Sequence, residues 1–248
     1  RRSHIISFFL RGKKFSLIKF SKNSVFLDLL KLFNFSTYYN SENNLLFENL
    51  QFLNLLINEN NKIKDIDFYF DYSFDESFRL NNNKYCVFHL DEKWFKDYYY
   101  NDFTYPNWNF EFFNEIIEIL SKKFNLPILI TTGGLNIEFV NNLIKKSFTK
   151  KNDTIYFHKE LKDNLILLNN LTFRQIEFIL KENCKFLVAC EGGVTHLSHN
   201  LNINTFAFIQ GERGNFYRHW TGHMSKIKLF ERTNSKDMLR ILSNKKHM

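Results

Sequence analysis

Two hundred and forty-eight residues leave room for one large domain or two small ones. Hydrophobic residues at 44% and charged residues at 24% lie close to globular averages, which excludes wholesale disorder. The net charge is +8, and residues 1–22 carry seven cations (Arg1, Arg2, Arg11, Lys13, Lys14, Lys19, Lys22) and no acid, so the remainder is nearly neutral.

No apolar run approaches the roughly 18–20 residues of a membrane helix. The basic start and short apolar centre of the first residues lack a small-residue cleavage site, which argues against a signal peptide. Within classes the usage is skewed: 30 Phe and 32 Asn stand against 2 Ala and 2 Pro. Strong A+T codon bias produces that pattern, so it is given no functional weight. Cys86, Cys184 and Cys190 are odd in number and lack metal spacing. They read as small core residues of a protein kept in a reducing, cytoplasmic setting.

In chain order, residues 3–10 read as the end of a helix and 15–20 as a strand. Apolar residues at three-and-four spacing predict a helix over 43–58. Residues 59–83 are rich in Asn, Asp and Lys, and Asn81, Asn82 and Asn83 make a linker. A domain boundary is therefore placed between 83 and 84. Beyond it the pattern alternates. Strands are expected over 85–90, 127–131, 153–157, 165–168, 186–190 and 204–209. Helices are expected over 109–124, 136–147, 172–181, 194–201 and 235–242, the third capped by Thr172. Residues 91–108 read as a polar, aromatic loop.

Strands alternating with helices of 10–15 residues imply a doubly wound parallel sheet. Ligands of such sheets sit beyond the carboxyl ends of the strands. The loops of interest are therefore 91–108, 131–136, 168–172, 190–196 and 210–222. The strongest local signal is F-L-V-A-C-E-G-G-V-T-H-L-S-H-N-L over 186–201, a strand, an acid, two glycines and a helix. Glycines allow close backbone approach, and a helix start offers unpaired N–H groups and a positive dipole end. Together they make a diphosphate cradle. Thr195 and His196 add donors, and Glu191 accepts from sugar hydroxyls or orients the turn. The plainer reading is a tight strand-to-helix turn. Three-glycine nicotinamide spacing and a P-loop lysine are both missing.

The stretch from Glu191 to Leu197 resembles the acid-x-Gly-x-Ser/Thr-His-Leu signature of heptosyltransferase-type glycosyltransferases (glycosyltransferase family nine, GT-B fold). Residues 164–172, 126–134, 107–111 and 204–209 resemble family segments around it. This similarity spans about 85–232 and more loosely 1–58. The family usually has Asp where this chain has Glu191, and Pro in the segment corresponding to 204–209.

The resemblance implies a GT-B-like α/β fold: one complete Rossmann-like domain over 84–248, preceded by a partial N-terminal acceptor-side domain over 1–83. It implies metal-independent, inverting transfer of a sugar from a nucleotide-diphosphate donor to a lipid-linked saccharide in lipopolysaccharide or other cell-surface glycan assembly. The donor would meet Glu191, Gly192, Gly193, Thr195 and His196, with Lys93, Thr172 and Gly133 nearby. His89, Arg213 and Arg218 are candidates for phosphate or acceptor, and His219 shares their loop. Solvated loop lysine and satisfied core histidine are the plainer readings of Lys93 and His89.

Trp94, Tyr98, Tyr99, Tyr100, Tyr105 and Trp108 crowd one loop, for sugar stacking or for simple packing. Family members are longer and open with a segment carrying the acid that resembles the catalytic base. Such a segment is expected upstream of Arg1, which makes this chain a fragment or a shortened homologue. No cofactor, metal or nucleic-acid partner is expected, since the nucleotide sugar is a substrate and no Asp-x-Asp pair is present. The basic end at 1–22 suits an anionic membrane surface, with the protein peripheral on its cytoplasmic side. Alternatives are a non-catalytic nucleotide-sugar-binding homologue, a basic membrane- or nucleic-acid-binding module, and an epimerase of the same two-domain fold.

Overall fold

The computed structural model describes residues 14–17, 35–38, 84–95, 108–210, 217–218 and 221–244. Contacts divide the chain into two compact units, one holding residues 1–66 and 218–223 and the other 67–217 and 224–248. In the first unit, β1 (Lys14–Leu17) and β2 (Phe35–Tyr38) pair in parallel, Lys14 opposite Phe35 and Leu17 opposite Tyr38. The helices expected at 3–10 and 43–58 lie outside the described residues.

The second unit holds an eight-stranded sheet. Its elements, in chain order, are β3 (Tyr85–Leu90), α1 (Phe110–Phe124), β4 (Ile128–Thr132), α2 (Glu138–Ser147), β5 (Phe148–Lys150), β6 (Ile155–His158) and β7 (Lys162–Leu168). They continue with α3 (Phe173–Asn183), β8 (Cys184–Cys190), α4 (Gly193–Asn200), β9 (Asn204–Ile209), β10 (Ile227–Glu231) and α5 (Ser235–Ser243). The strand order is β10-β9-β8-β3-β4-β7-β6-β5.

Alternation along each strand explains the layers. Cys86, Phe88 and Leu90 of β3, Phe186 and Val188 of β8 and Phe206 and Phe208 of β9 join one core, under α1, α2 and α5. Tyr85 and Val87, Leu187 and Ala189 point the other way, into a second core under α3 and α4. Period-two side chains on a sheet apolar on both faces leave no other arrangement than helices on each. This is the doubly wound α/β architecture read from the strand–helix alternation.

Local signals set the helix starts. Asn109 Oδ1 accepts from Phe112 N at 2.8 Å and caps α1, whose Phe112, Phe113, Ile116, Ile117 and Leu120 are buried. Each such side chain contributes about 1.5–3 kcal/mol on burial. The helix ends where Asn125 adopts a left-handed conformation, φ 49°. Thr172 caps α3 as expected, through a reciprocal pair with Gln175.

Three features depart from the sequence reading. The sheet is not parallel throughout: β6 runs antiparallel to β7, and β5 to β6. β5 follows α2 without a break and has one buried residue, Phe148, too short a segment for a periodic pattern. β10 was not expected. It is a half-exposed edge strand whose pairing with β9 (Ile227 opposite Thr205, Glu231 opposite Ile209) supplies what its five residues do not signal alone.

The three cysteines are buried and unbridged, and burial pushes their thiols up, that of Cys184 to about 12. Among the described residues no helix is long and apolar enough to cross a membrane.

Candidate functional site

The strand order locates the ligand edge. From β3 the chain passes through α1, on one face, to β4 on one side. From β8, the other neighbour of β3, it passes through α4, on the opposite face, to β9 on the other side. Loops leaving β3 and β8 therefore part and open a crevice beyond the strand ends, the usual ligand position of open α/β sheets.

Two turns face each other there. After β3, Asp91 Oδ1 accepts from Lys93 N at 3.0 Å and caps a single 3-10 turn, Glu92–Trp94. Trp94 anchors that turn from below. Its indole N–H donates to His89 O at 2.9 Å, and its ring meets Phe88, Trp108 and Phe208 at centroid distances of 5.3–5.7 Å. The contact with Phe208 shows that the turn leans across β8 toward β9. Trp94 is thus core packing; of the other loop aromatics, Trp108 packs beside it and the four tyrosines lie outside the described residues.

After β8, Glu191 N donates to Phe208 O at 3.0 Å, one residue beyond the β8 ladder. Gly192 precedes α4. Thr195 Oγ1 donates to Gly192 O at 2.7 Å and accepts from Gly192 N at 3.1 Å, while Thr195 is fully buried. Its hydroxyl therefore shapes the turn. Glu191 Oε1 lies 3.3 Å from His196 Nε2, an i, i+5 pair that aligns the carboxylate along the start of α4.

Lys93 joins the two turns. Its ammonium donates to Glu191 O. A Cβ at Gly192 would lie 2.8 Å from Lys93 Nζ. Glycine at 192 thus leaves the room that the ammonium occupies. Its backbone, φ 166° and ψ −165°, is extended and open to any residue. An ammonium has three N–H donors, and one carbonyl takes one of them. Thr195 N and His196 N already donate to Gly192 O, so the amides of Gly193 and Val194 are the first-turn donors left beside the ammonium.

Beneath this pair lie groups the sequence did not flag. Arg232, one residue past β10, is buried, its guanidinium donating to Lys93 O and approaching Cys190 Sγ at 3.7 Å. Burial raises the Asp91 carboxyl above its usual value, and the charges of Lys93 and Arg232 oppose that rise. The available signal was positional: Asp91 and Arg232 each follow an apolar strand at its carboxyl end.

The remaining candidates disperse. His89 is buried with Nδ1 3.0 Å from Thr131 Oγ1, and burial, then Lys93, lowers it to about 4, so it is neutral at pH 7. It is a satisfied core histidine at the strand end. Thr172 is exposed and occupied in its cap with Gln175. Gly133 follows β4 in open space. Gly193 faces Phe173, whose ring would meet a Cβ there at 3.5 Å; Phe173 is half exposed at the same edge. Arg218 is exposed and belongs to the other unit, while Arg213 and His219 lie outside the described residues. So do the side chains of 1–22. Among the described residues no group of three or more His, Cys, Asp or Glu is placed to hold a metal ion.

No protein-family model matches the chain, and no curated protein matches it. Among solved structures it is similar to the UDP-GlcNAc 2-epimerase of Methanocaldococcus jannaschii, crystallised with UDP-GlcNAc and UDP. Identity is 15%, the TM-score is 0.39, and the match covers 67% of this chain and 40% of that one. The chain thus spans well under half of that enzyme's length.

Proposed function

We propose that the crevice between β3 and β8 binds the diphosphate of a nucleotide sugar, and that the protein is a glycosyltransferase acting on a lipid-linked saccharide acceptor. One observation carries the binding half: the ammonium of Lys93 sits over Gly192 at the start of α4, on the carboxyl edge of a doubly wound sheet. A cation, helix-start amides and a residue without a side chain suit a ligand with dense negative charge and little room beneath it. The transfer half rests on the signature-like residues from Glu191 to Leu197.

In this reading the bond from the sugar's anomeric carbon to the diphosphate oxygen breaks as the acceptor oxygen attacks from the opposite face. Negative charge grows on the departing diphosphate, where Lys93 and the α4 amides stabilise it more than in the ground state. Glu191 accepts hydrogen bonds from sugar hydroxyls, with His196 holding its carboxylate, and so aligns the anomeric carbon. The acceptor's proton goes to a base outside the groups described.

The test is titration of the full chain with UDP-, ADP- and GDP-sugars, followed by calorimetry and by melting temperature. At least one should bind, and Lys93→Met should weaken it by about 10- to 100-fold, as expected for one charge-assisted hydrogen bond of about 1.5–3 kcal/mol. If none binds or shifts the melt, the proposal fails. Release of free nucleotide without any acceptor would replace transfer by an epimerase-type reaction at the same site.

A further inference from the structure

We infer that Arg232 is the positioning residue of this site, holding Lys93 where its ammonium meets a diphosphate; the inference rests on the diphosphate reading above. A lysine in a surface loop ordinarily swings on a four-carbon stem. Lys93 is held at all three of its polar groups. Its N–H goes to Asp91 Oδ1 at 3.0 Å, its ammonium to Glu191 O, and its carbonyl accepts from the Arg232 guanidinium. The first hold is local, made two residues away. The carbonyl hold comes from 139 residues further along the chain.

Sheet geometry makes that hold possible. The 3-10 turn leans over β8 to place Trp94 against Phe208 of β9. Arg232 leaves β10, on the far side of β9, with its own N–H donating to Ile209 O at 2.7 Å. Its backbone is therefore fixed by the ladder, and its side chain runs back beneath the turn, past Cys190. Both contacts, to Lys93 O and to Cys190 Sγ, come from the one guanidinium nitrogen Nη1, at the far end of a long side chain.

Arg232 also lies near enough to Asp91 for its charge to oppose the rise in that buried carboxyl. Burying a charge nonetheless costs more than burying an apolar side chain of similar size. An arginine 3% exposed under the candidate phosphate-binding lysine is better accounted for by what it holds. The arrangement also preorganises the site: the ammonium does not have to be ordered when ligand arrives, so less affinity is lost to ordering it.

The experiment is a double-mutant cycle on the full chain, with wild type, Lys93→Met, Arg232→Met and the double variant. Each is titrated with UDP, ADP, GDP, inorganic pyrophosphate and the parent nucleosides. Arg232→Met should weaken the diphosphates and pyrophosphate by about tenfold, leave the nucleosides unchanged, and have no further effect once Lys93 is Met. A purely structural role would weaken nucleosides and diphosphates together, and equally in both backgrounds; that result overturns the inference.

Arg232→Lys, which keeps the charge but ends one bond short of Nη1 and so withdraws the donor from Lys93 O, serves where Arg232→Met does not fold. It should show the same selective loss, and an unchanged diphosphate affinity would equally refute the role. If wild type binds none of the probes, the diphosphate reading itself falls. If wild type binds and Lys93→Met weakens it while the Arg232 variants do not, only the positioning role falls.

Discussion

Gly192→Ala isolates the close approach on which the site depends. The added methyl would sit 2.8 Å from Lys93 Nζ and 3.9 Å from its Cε, where ordinary contact begins at 3.4 Å. The ammonium must therefore withdraw by about 0.6 Å or more. It is the far end of a flexible side chain, so the retreat costs little in the folded state. The backbone at 192 is extended and favours no particular residue, so no strain is added. Replacing glycine at a compatible position also restricts the unfolded chain and stabilises by about 0.4–1 kcal/mol. Stability should thus hold or rise slightly.

Diphosphate binding should fall. The retreat weakens the contact of Lys93 with the ligand, and complete loss of one charge-assisted hydrogen bond, about 1.5–3 kcal/mol or about 10- to 100-fold in Kd, is the upper bound. The assay is calorimetric titration with UDP, ADP and GDP, beside a urea melt of each variant. Gly193→Ala is the control, since its methyl would make only an ordinary 3.5 Å contact with Phe173. A folded Gly192→Ala protein that binds diphosphates as well as wild type would show that the ligand does not meet Lys93 over residue 192. A loss that persists undiminished after Lys93→Met would place the effect of the methyl on the ligand itself and not on the ammonium.

Thr195→Val removes the hydroxyl that both donates to and accepts from Gly192. It should lower unfolding free energy by about 1–2 kcal/mol in urea, as loss of a cap does; no change would mean the turn holds without it. His89, held neutral with its pKa lowered to about 4, makes stability depend on pH. The unfolded chain binds the extra proton first, so His89's contribution is present above about pH 6.5 and is lost as pH falls toward 4. Urea melts across that window should show a slope that flattens in His89→Gln. The buried thiols of Cys86, Cys184 and Cys190 should resist a thiol reagent in the native protein and react together on unfolding; rapid native labelling of any of them would contradict their burial.

Much of the fold was legible because it is written in local periodicity. The Asn109 and Thr172 caps, the apolar face of α1 and the buried runs in β3, β4, β7 and β8 each depend on residues within one or two turns of one another. The glycine turn after β8 was legible for the same reason: Glu191, Gly192, Gly193, Thr195 and His196 are consecutive or nearly so. Their roles were not. Thr195, read as a ligand donor, has its hydroxyl in the turn, a distinction that depends on which way a buried side chain faces.

What the sequence alone determined is the alternation of strand and helix, and with it a sheet buried on both faces and a ligand edge at the carboxyl ends. Tertiary structure decided which strands are neighbours. That choice placed β8 beside β3 and so brought Lys93 over Gly192 across a separation of about a hundred residues. It paired β10 with β9 and so brought Arg232 to the carbonyl of Lys93. Periodicity reports which face of an element is buried and is silent on its neighbour. The cation at this site is positioned by neighbours.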